Sequence, residues 1–309
     1  MSRSDAPVWA RTLALSERAA FRLDDVLAED ASFDFARPFL PNALTAVDSL
    51  DFLNTRERLL LGHIRAHGYL GLFGIVEEFI VPFVLAQAKP RGADLDALRA
   101  LVGFAGEETK HIALFRRFLR VFERGFGARP ALIGPASDFS SAVLAHSELG
   151  VALAILHIEW MTQRHWSDCV RADETLEASF KKLLRAHWME EAQHARLDAQ
   201  LVAELVSSAT ASARSEGVSD YLDILRSMDD ALRVQVELDL VSFELASARR
   251  LSPEQRAEFL RVQQASQRGC FLLAGITHPE VLIALSGVAP DALERVARAA
   301  ESFSREQPN

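Results

Sequence analysis

The chain has 309 residues, 49% of them hydrophobic and 25% charged, with a formal net charge of −9 and a pI near 5.5. Those values describe a folded globular chain, and an acidic balance without any dense Lys/Arg run excludes the electrostatic footprint of a nucleic-acid binder. Cys169 and Cys270 are the only cysteines, far apart and in no CxxC spacing, which excludes a disulfide framework and thiolate zinc or iron–sulfur sites and points to a reducing cytoplasm.

The N-terminal stretch MSRSDAPVWARTLALSERAAF carries charges where a signal sequence would be apolar, and no uninterrupted apolar run of ~18 residues follows, so neither export nor membrane spanning is expected. Residues 1–54 read as an N-terminal helix and an arm, the prolines of FARPFLPNAL favouring an extended path over 31–54. Apolar residues then recur at i, i+3, i+4 and i+7, predicting helices at about 55–88, 94–125, 139–170, 174–208, 218–250, 252–273 and 278–304. KPRGAD ends the first and caps the second, ARPALIGPASD is a Pro/Gly linker, and SPEQ and THPE resemble capped starts with proline at the first helical position. The expectation is an all-α, ferritin-like four-helix bundle with additional N- and C-terminal helices, residues 55–309 forming the helical domain on which 1–54 packs. The stripes of ALRVQVELDLVSFELA are expected to close the core, with a homodimer face as their alternative use.

Two helical pairs repeat one pattern. Each has a long apolar helix with a mid-helix glutamate, followed by a helix with adjacent glutamates and a histidine: VEEFI then EETKH, and HIEWM then EEAQH. One E-x-x-H on a helix is weak evidence, because both residues are common on solvated faces. Two copies, each preceded by a carboxylate embedded in an apolar helix, are a different matter, because a buried glutamate is costly unless something satisfies it. Two glutamates from two helices and a Glu-x-x-His from each of two others form the ligand set of a ferritin-like di-iron or di-manganese bundle. Glu108 with His111 and Glu191 with His194 supply the two motifs, Glu159 is one lone carboxylate, and the other is Glu77 or Glu78, which periodicity does not separate. His157 lies about 200° from Glu159 around its helix, so it is expected outside the site.

One further residue narrows the chemistry. His187 lies four residues before Glu191 and seven before His194, so all three share a face. With PFLPNAL in the arm, Gly68-Tyr69 eight residues before Glu77, Glu107-Glu108-x-x-His111 and Glu159, this triplet resembles the di-iron N-oxygenase family typified by p-aminobenzoate N-oxygenase. The resemblance covers roughly residues 35–205. It implies metal ligands Glu77, Glu108, His111, Glu159, His187, Glu191 and His194, with no catalytic residues beyond them. It also implies two iron ions, with di-manganese or mixed Mn/Fe as lesser alternatives, and oxygen transfer from O2 to a small-molecule substrate such as an aryl amine. No Rossmann, flavin or cysteine-cluster motif is present, so electrons are expected from a separate reductase or ferredoxin. The family often has Asp at the position of Glu107, which bears on substrate class.

Phe73, Phe79, Phe104, Phe115, Trp160 and Trp188 are candidates for a dry pocket wall, and Arg116, Arg117, Arg120 and Arg185 for a carboxylate clamp. As a group, core packing and a solvated face are their plainer uses. The rival functions are a hydroxylase or desaturase of a carrier-bound or apolar acid, and a ferritin-like metal-binding protein or ferroxidase. A radical-generating ribonucleotide reductase subunit would need a tyrosine near the first E-x-x-H, and neither Tyr69 nor Tyr221 is placed there.

Overall fold

A computed structural model describes residues 8–305. All regular structure among them is helical. In chain order the helices are α1 (Val8–Ala19), α2 (Leu23–Val26), α3 (Asn42–Thr45), α4 (Thr55–Ala88), α5 (Leu95–Phe126), α6 (Ala136–Leu144), α7 (Glu148–Arg164), α8 (Ala178–Ser208), α9 (Ala211–Ser247), α10 (Pro253–Arg268), α11 (Ala274–Ile276), α12 (Pro279–Ser286) and α13 (Ala292–Ser304). Wide π-type turns continue α7 over His165–Val170 and join α10 to α11 over Gly269–Leu273.

The long helices start where side chains can satisfy free N–H groups. Asn54 and Glu57 form a reciprocal capping box on α4, and Ser252 and Gln255 do the same on α10. Asp94 accepts from Ala97 N at 3.1 Å to begin α5. At the THPE start it is the His278 side chain, not Thr277, that accepts from Glu280 N. Pro82 inside α4 frees the carbonyl of Glu78, four residues earlier, and Ser140 Oγ on α6 donates to it at 3.5 Å.

Two helices expected as continuous are broken. The span 139–170 divides at residues 145–147, where Ser147 accepts from Gly150 N to start α7, and 278–304 divides at 287–291. The span expected at 174 begins at 178, and the one expected at 218 begins at 211.

Helices α4 and α5 form one antiparallel hairpin and α7 and α8 the other; α9 lies against α4 and α7, and α1 crosses α5 and α8. The main apolar core runs from Trp9 in α1 to Phe303 in α13. The arm joins it through Phe33, Phe35 and Phe39, whose rings meet Phe118, Phe122 and Phe180 at centroid separations of 5.2–5.9 Å. By length and composition alone Thr55–Arg91 could cross a membrane, but 61% of its most apolar window is buried inside the fold.

Candidate metal centre

The four bundle helices bring all seven predicted ligands to the middle of the fold. Glu77, Glu108, His111, Glu159, His187, Glu191 and His194 are each 0–3% exposed. Two overlapping clusters have ligand atoms within 4.8 Å of one another: Glu77, His111, His187 and Glu191, and Glu108, His111, Glu191 and His194. His111 and Glu191 belong to both. Glu159 lies beside them, hydrogen-bonded to Glu191 and close enough to His194 to feel its charge.

The choice between Glu77 and Glu78 follows from α4's rotation. Glu77 Oε1 is 3.4 Å from His187 Nε2 and 3.9 Å from His111 Nδ1, whereas Glu78 turns outward and pairs with Arg116 at 2.9 Å. His157 is absent from the cluster, as its helical angle predicts: its Nδ1 meets Tyr221 OH and its Nε2 the carbonyl of Phe271.

The adjacent glutamates of each E-E-x-x-H divide their work. The second member, Glu108 or Glu191, faces the cluster; the first binds the histidine of the opposite helix. His111 Nε2 donates to Glu190 at 2.8 Å and His194 Nε2 donates to Glu107 at 2.8 Å. Lys110 holds Glu190 from its other side, and Ser16 of α1 holds Glu107. Each ring is thereby fixed with its Nδ1 towards the cluster, the carboxylate–histidine arrangement that orients metal ligands.

That orientation is the test of whether a metal fits. With Nε2 donating outward, the Nδ1 of a neutral imidazole is a lone pair. His194 Nδ1 nevertheless faces Glu108 Oε1 at 2.7 Å and Glu191 Oε2 at 2.9 Å, and His111 Nδ1 faces Glu191 Oε1 at 3.1 Å and Glu108 Oε2 at 3.5 Å. Despite this proximity, neither oxygen of Glu108 is aligned for a hydrogen bond, and Glu77 Oε2 and His111 Nδ1 are likewise buried without partners. Acceptors converging on acceptors in a dry interior need a cation or trapped protons between them. Protons alone would leave the site with buried charge. Burial pushes the His111 and His194 imidazoles down, but the facing carboxylates, Glu191 and Glu108 foremost, reverse this and raise both well above the ordinary range. The Glu159 carboxyl is raised by burial and then by Glu191 beside it. Burial also works to raise Glu191, but the three imidazoles around it outweigh that and hold it well below its usual range. Hard carboxylates with imidazoles suit divalent iron or manganese, so the residues fit the implied metals.

Aromatic rings seal the cluster. Phe104 stacks on His194 at 4.1 Å, Phe115 and Phe73 meet the edge of His187 at 5.0 and 5.5 Å, and Phe21 stacks over His111 at 6.2 Å. Other wall candidates lie elsewhere: Phe79 packs on Phe139, Trp160 on His278 and Trp188 on Trp166. Arg116, Arg117 and Arg120 pair with Glu78, Asp24 and Glu29, and Arg185 is exposed, so no carboxylate clamp is assembled from them. Sequence reasoning missed Glu190, Lys110, Ser16 and Phe21, and also Asp198. Asp198 is 1% exposed with both oxygens unpartnered, and it extends the stripe of His187, Glu191 and His194 by another turn.

Fold and cluster define the class: an all-α, ferritin-like bundle with a carboxylate–histidine site shaped for two metals. No family model and no curated protein matches the chain. Solved structures similar to it include three variants of an R2-like ligand-binding oxidase. One, with anaerobically reconstituted Mn/Fe cofactor, aligns at 12% identity and TM-score 0.44; two with aerobically reconstituted Mn/Fe cofactor align at 14% and 12% identity and TM-scores of 0.45 and 0.42. Each alignment covers 86% of this chain and 94% of the other. The metal assignment therefore rests on this chain's own residues.

Proposed function

We propose that this protein is a non-haem di-metal oxygenase that transfers oxygen from O2 to a small organic substrate, with N-oxygenation of an aryl or other amine as its specific reaction. The observation that carries the proposal is the third imidazole. His187 Nε2 enters the cluster beside Glu77 and Glu191, so three imidazoles would be available to two metal positions and could not divide evenly between them. When bound, two redox-active divalent ions, most simply iron, supply the electrons and Lewis acidity for reducing dioxygen.

The chain's own residues supply the rest. Glu107 and Glu190 lock two imidazoles in place, and Phe73, Phe104 and Phe115 keep bulk water from the cluster. Burial holds His187 below its usual pKa despite Glu191 beside it, so its ring is neutral and able to donate a lone pair. Beside the cluster, a cavity of about 500 Å³ opens between α4, α5 and the 129–136 segment. Gly71 and Gly74 line it, with Leu132 packed directly on Gly71, and Phe115 separates it from His187. Its volume suits a small aromatic molecule. Reducing equivalents come from an external donor, because the chain has no motif for a nicotinamide, flavin or iron–sulfur cofactor.

The test is to load the protein anaerobically with Fe(II), add isotopically labelled O2 and a panel of arylamines, and analyse products by mass spectrometry. Label in a hydroxylamine, nitroso or nitro product, lost in His187→Ala, supports the reading. Iron bound and oxidised only to mineral, with His187→Ala indistinguishable from wild type, would replace it with ferroxidase chemistry.

A further inference from the structure

The chain has two tyrosines, and both are buried against a histidine. Tyr69 OH is 2.8 Å from His165 Nδ1, and Tyr221 OH is 2.9 Å from His157 Nδ1. The second nitrogen of each ring meets a backbone carbonyl: His165 Nε2 is 2.9 Å from Cys270 O, and His157 Nε2 is 3.0 Å from Phe271 O. These are consecutive carbonyls of the π-type turn Gly269–Leu273, whose widened geometry turns backbone acceptors towards side chains. A carbonyl only accepts, so both Nε2 atoms carry hydrogen. Burial holds both imidazoles down at about 4, so they are neutral and each Nδ1 is an acceptor. Cys270 Sγ, 3.6 Å from His165 Nε2, does not alter this, because the carbonyl is nearer. Each tyrosine therefore donates its O–H to a base fixed in one tautomer.

Only one of the two pairs is connected to the cluster by rings. Tyr69, Phe73 and Glu77 lie at four-residue steps along one face of α4. The Tyr69 ring is 4.9 Å from Phe73, which is 5.5 Å from His187; Phe271 backs both, at 5.6 and 5.9 Å. Tyr221 has His157 as its sole aromatic neighbour among the described residues.

We propose that Tyr69 and His165 form a one-electron relay that returns the dioxygen-oxidised di-metal centre towards its reduced state when no substrate is bound. This rests on the di-metal reading above. In the step, the Tyr69 O–H bond breaks and its proton forms a new N–H bond at His165 Nδ1, while one electron passes through Phe73 and His187 to the oxidised centre, which is reduced by one. The products are a neutral Tyr69 phenoxyl radical and a His165 imidazolium whose Nε2 still donates to Cys270 O. An external reductant of the thiol or ascorbate class then supplies one electron, and the proton returns to oxygen. Without His165 the released proton would be stranded in a dry interior, where an unpaired charge is costly. A phenol radical cation is acidic enough that even this weakly basic imidazole takes its proton, and weak basicity ensures that the proton goes back.

The experiment uses protein loaded with Fe(II), with bound iron measured first, mixed with O2 without substrate and freeze-quenched for electron paramagnetic resonance. Wild type is expected to give an organic radical that narrows when the protein is made with ring-deuterated tyrosine, and whose formation slows in deuterated solvent. The signal should vanish in Tyr69→Phe and survive in Tyr221→Phe, which carries the same chemistry without the ring bridge. Phe73→Leu, which keeps Tyr69, should slow its formation and covers the case in which Tyr69→Phe fails to fold. A radical lost in Tyr221→Phe instead, or no radical although iron is bound and oxidised, overturns the relay and leaves the oxygenase reading intact. Failure to bind iron overturns both.

Discussion

The two hairpins of the bundle carry one pattern but fill it differently. Aligned on their histidines, Glu107, Glu108 and His111 of α5 correspond to Glu190, Glu191 and His194 of α8, and each outer glutamate grips the other helix's histidine. A turn or two away the equivalence fails: where α8 has His187, α5 has Phe104, and where α5 has Phe115, α8 has Asp198. The rings cross over as the ligands do, Phe104 covering His194 and Phe115 covering His187. The duplicated elements build the metal box, and the unmatched positions make its two halves chemically unequal. Both unmatched polar groups lie on α8, an imidazole beside Glu77 and a buried carboxyl without a partner, while α5 has phenylalanines in their places.

The most severe way to break the comparison is to remove what both halves share. Glu191 is in both clusters, so Glu191→Ala should drop bound iron from near two ions per chain to below one, as measured by elemental analysis after desalting. His187→Phe makes α8 resemble α5 and should weaken one ion more than the other, by more than the ~10–100-fold typical of losing an outer partner. Competition with a chelator would show one weak and one strong step; two equally weakened steps would mean that the halves are not distinct. Glu107→Gln and Glu190→Gln remove corresponding grips and should each weaken metal binding about 10–100-fold, which isothermal titration can compare directly.

Each half also holds a buried neutral histidine whose pKa burial pushes down to about 4: His67 in α4, and His165 beyond α7. Their folded values lie below the unfolded ~6.5, so the unfolded chain binds more protons in that window and stability falls as pH drops from about 6.5 to 4. Each contributes on the order of 3 kcal/mol to that loss. Urea midpoints of the metal-free protein at pH 7 and pH 4.5 check the sign, and His67→Gln should flatten the dependence. A midpoint that holds constant to pH 4.5 would show that these rings are solvated.

Much of this was legible in the chain. Four long helices and the duplicated hairpins follow from period, and a carboxylate in an apolar helix is visible without coordinates; of the seven ligands implied by the resemblance, six form the two clusters and Glu159 lies beside them. The choice between Glu77 and Glu78 needed α4's rotation against α5, which a nearly uniform apolar helix does not encode. The break before Ser147 was missed because both sides are apolar, although the Ser-x-x-Gly start capped by the serine was present. Glu107 and Glu190 looked like neighbours of ligands; their grip on the opposite histidine is a tertiary contact across 87 and 79 residues. The tyrosine pairs span 96 and 64 residues and depend on a π-type turn, for which sequence periodicity gives no signal.

The most direct test of the central claim is anomalous X-ray scattering at the iron edge from crystals of the Fe(II)-loaded protein. The account predicts two peaks about 3.5–4 Å apart, both touching Glu191, one next to Glu77 and His187 and the other next to Glu108 and His194. A single peak, or peaks away from these side chains, would contradict it.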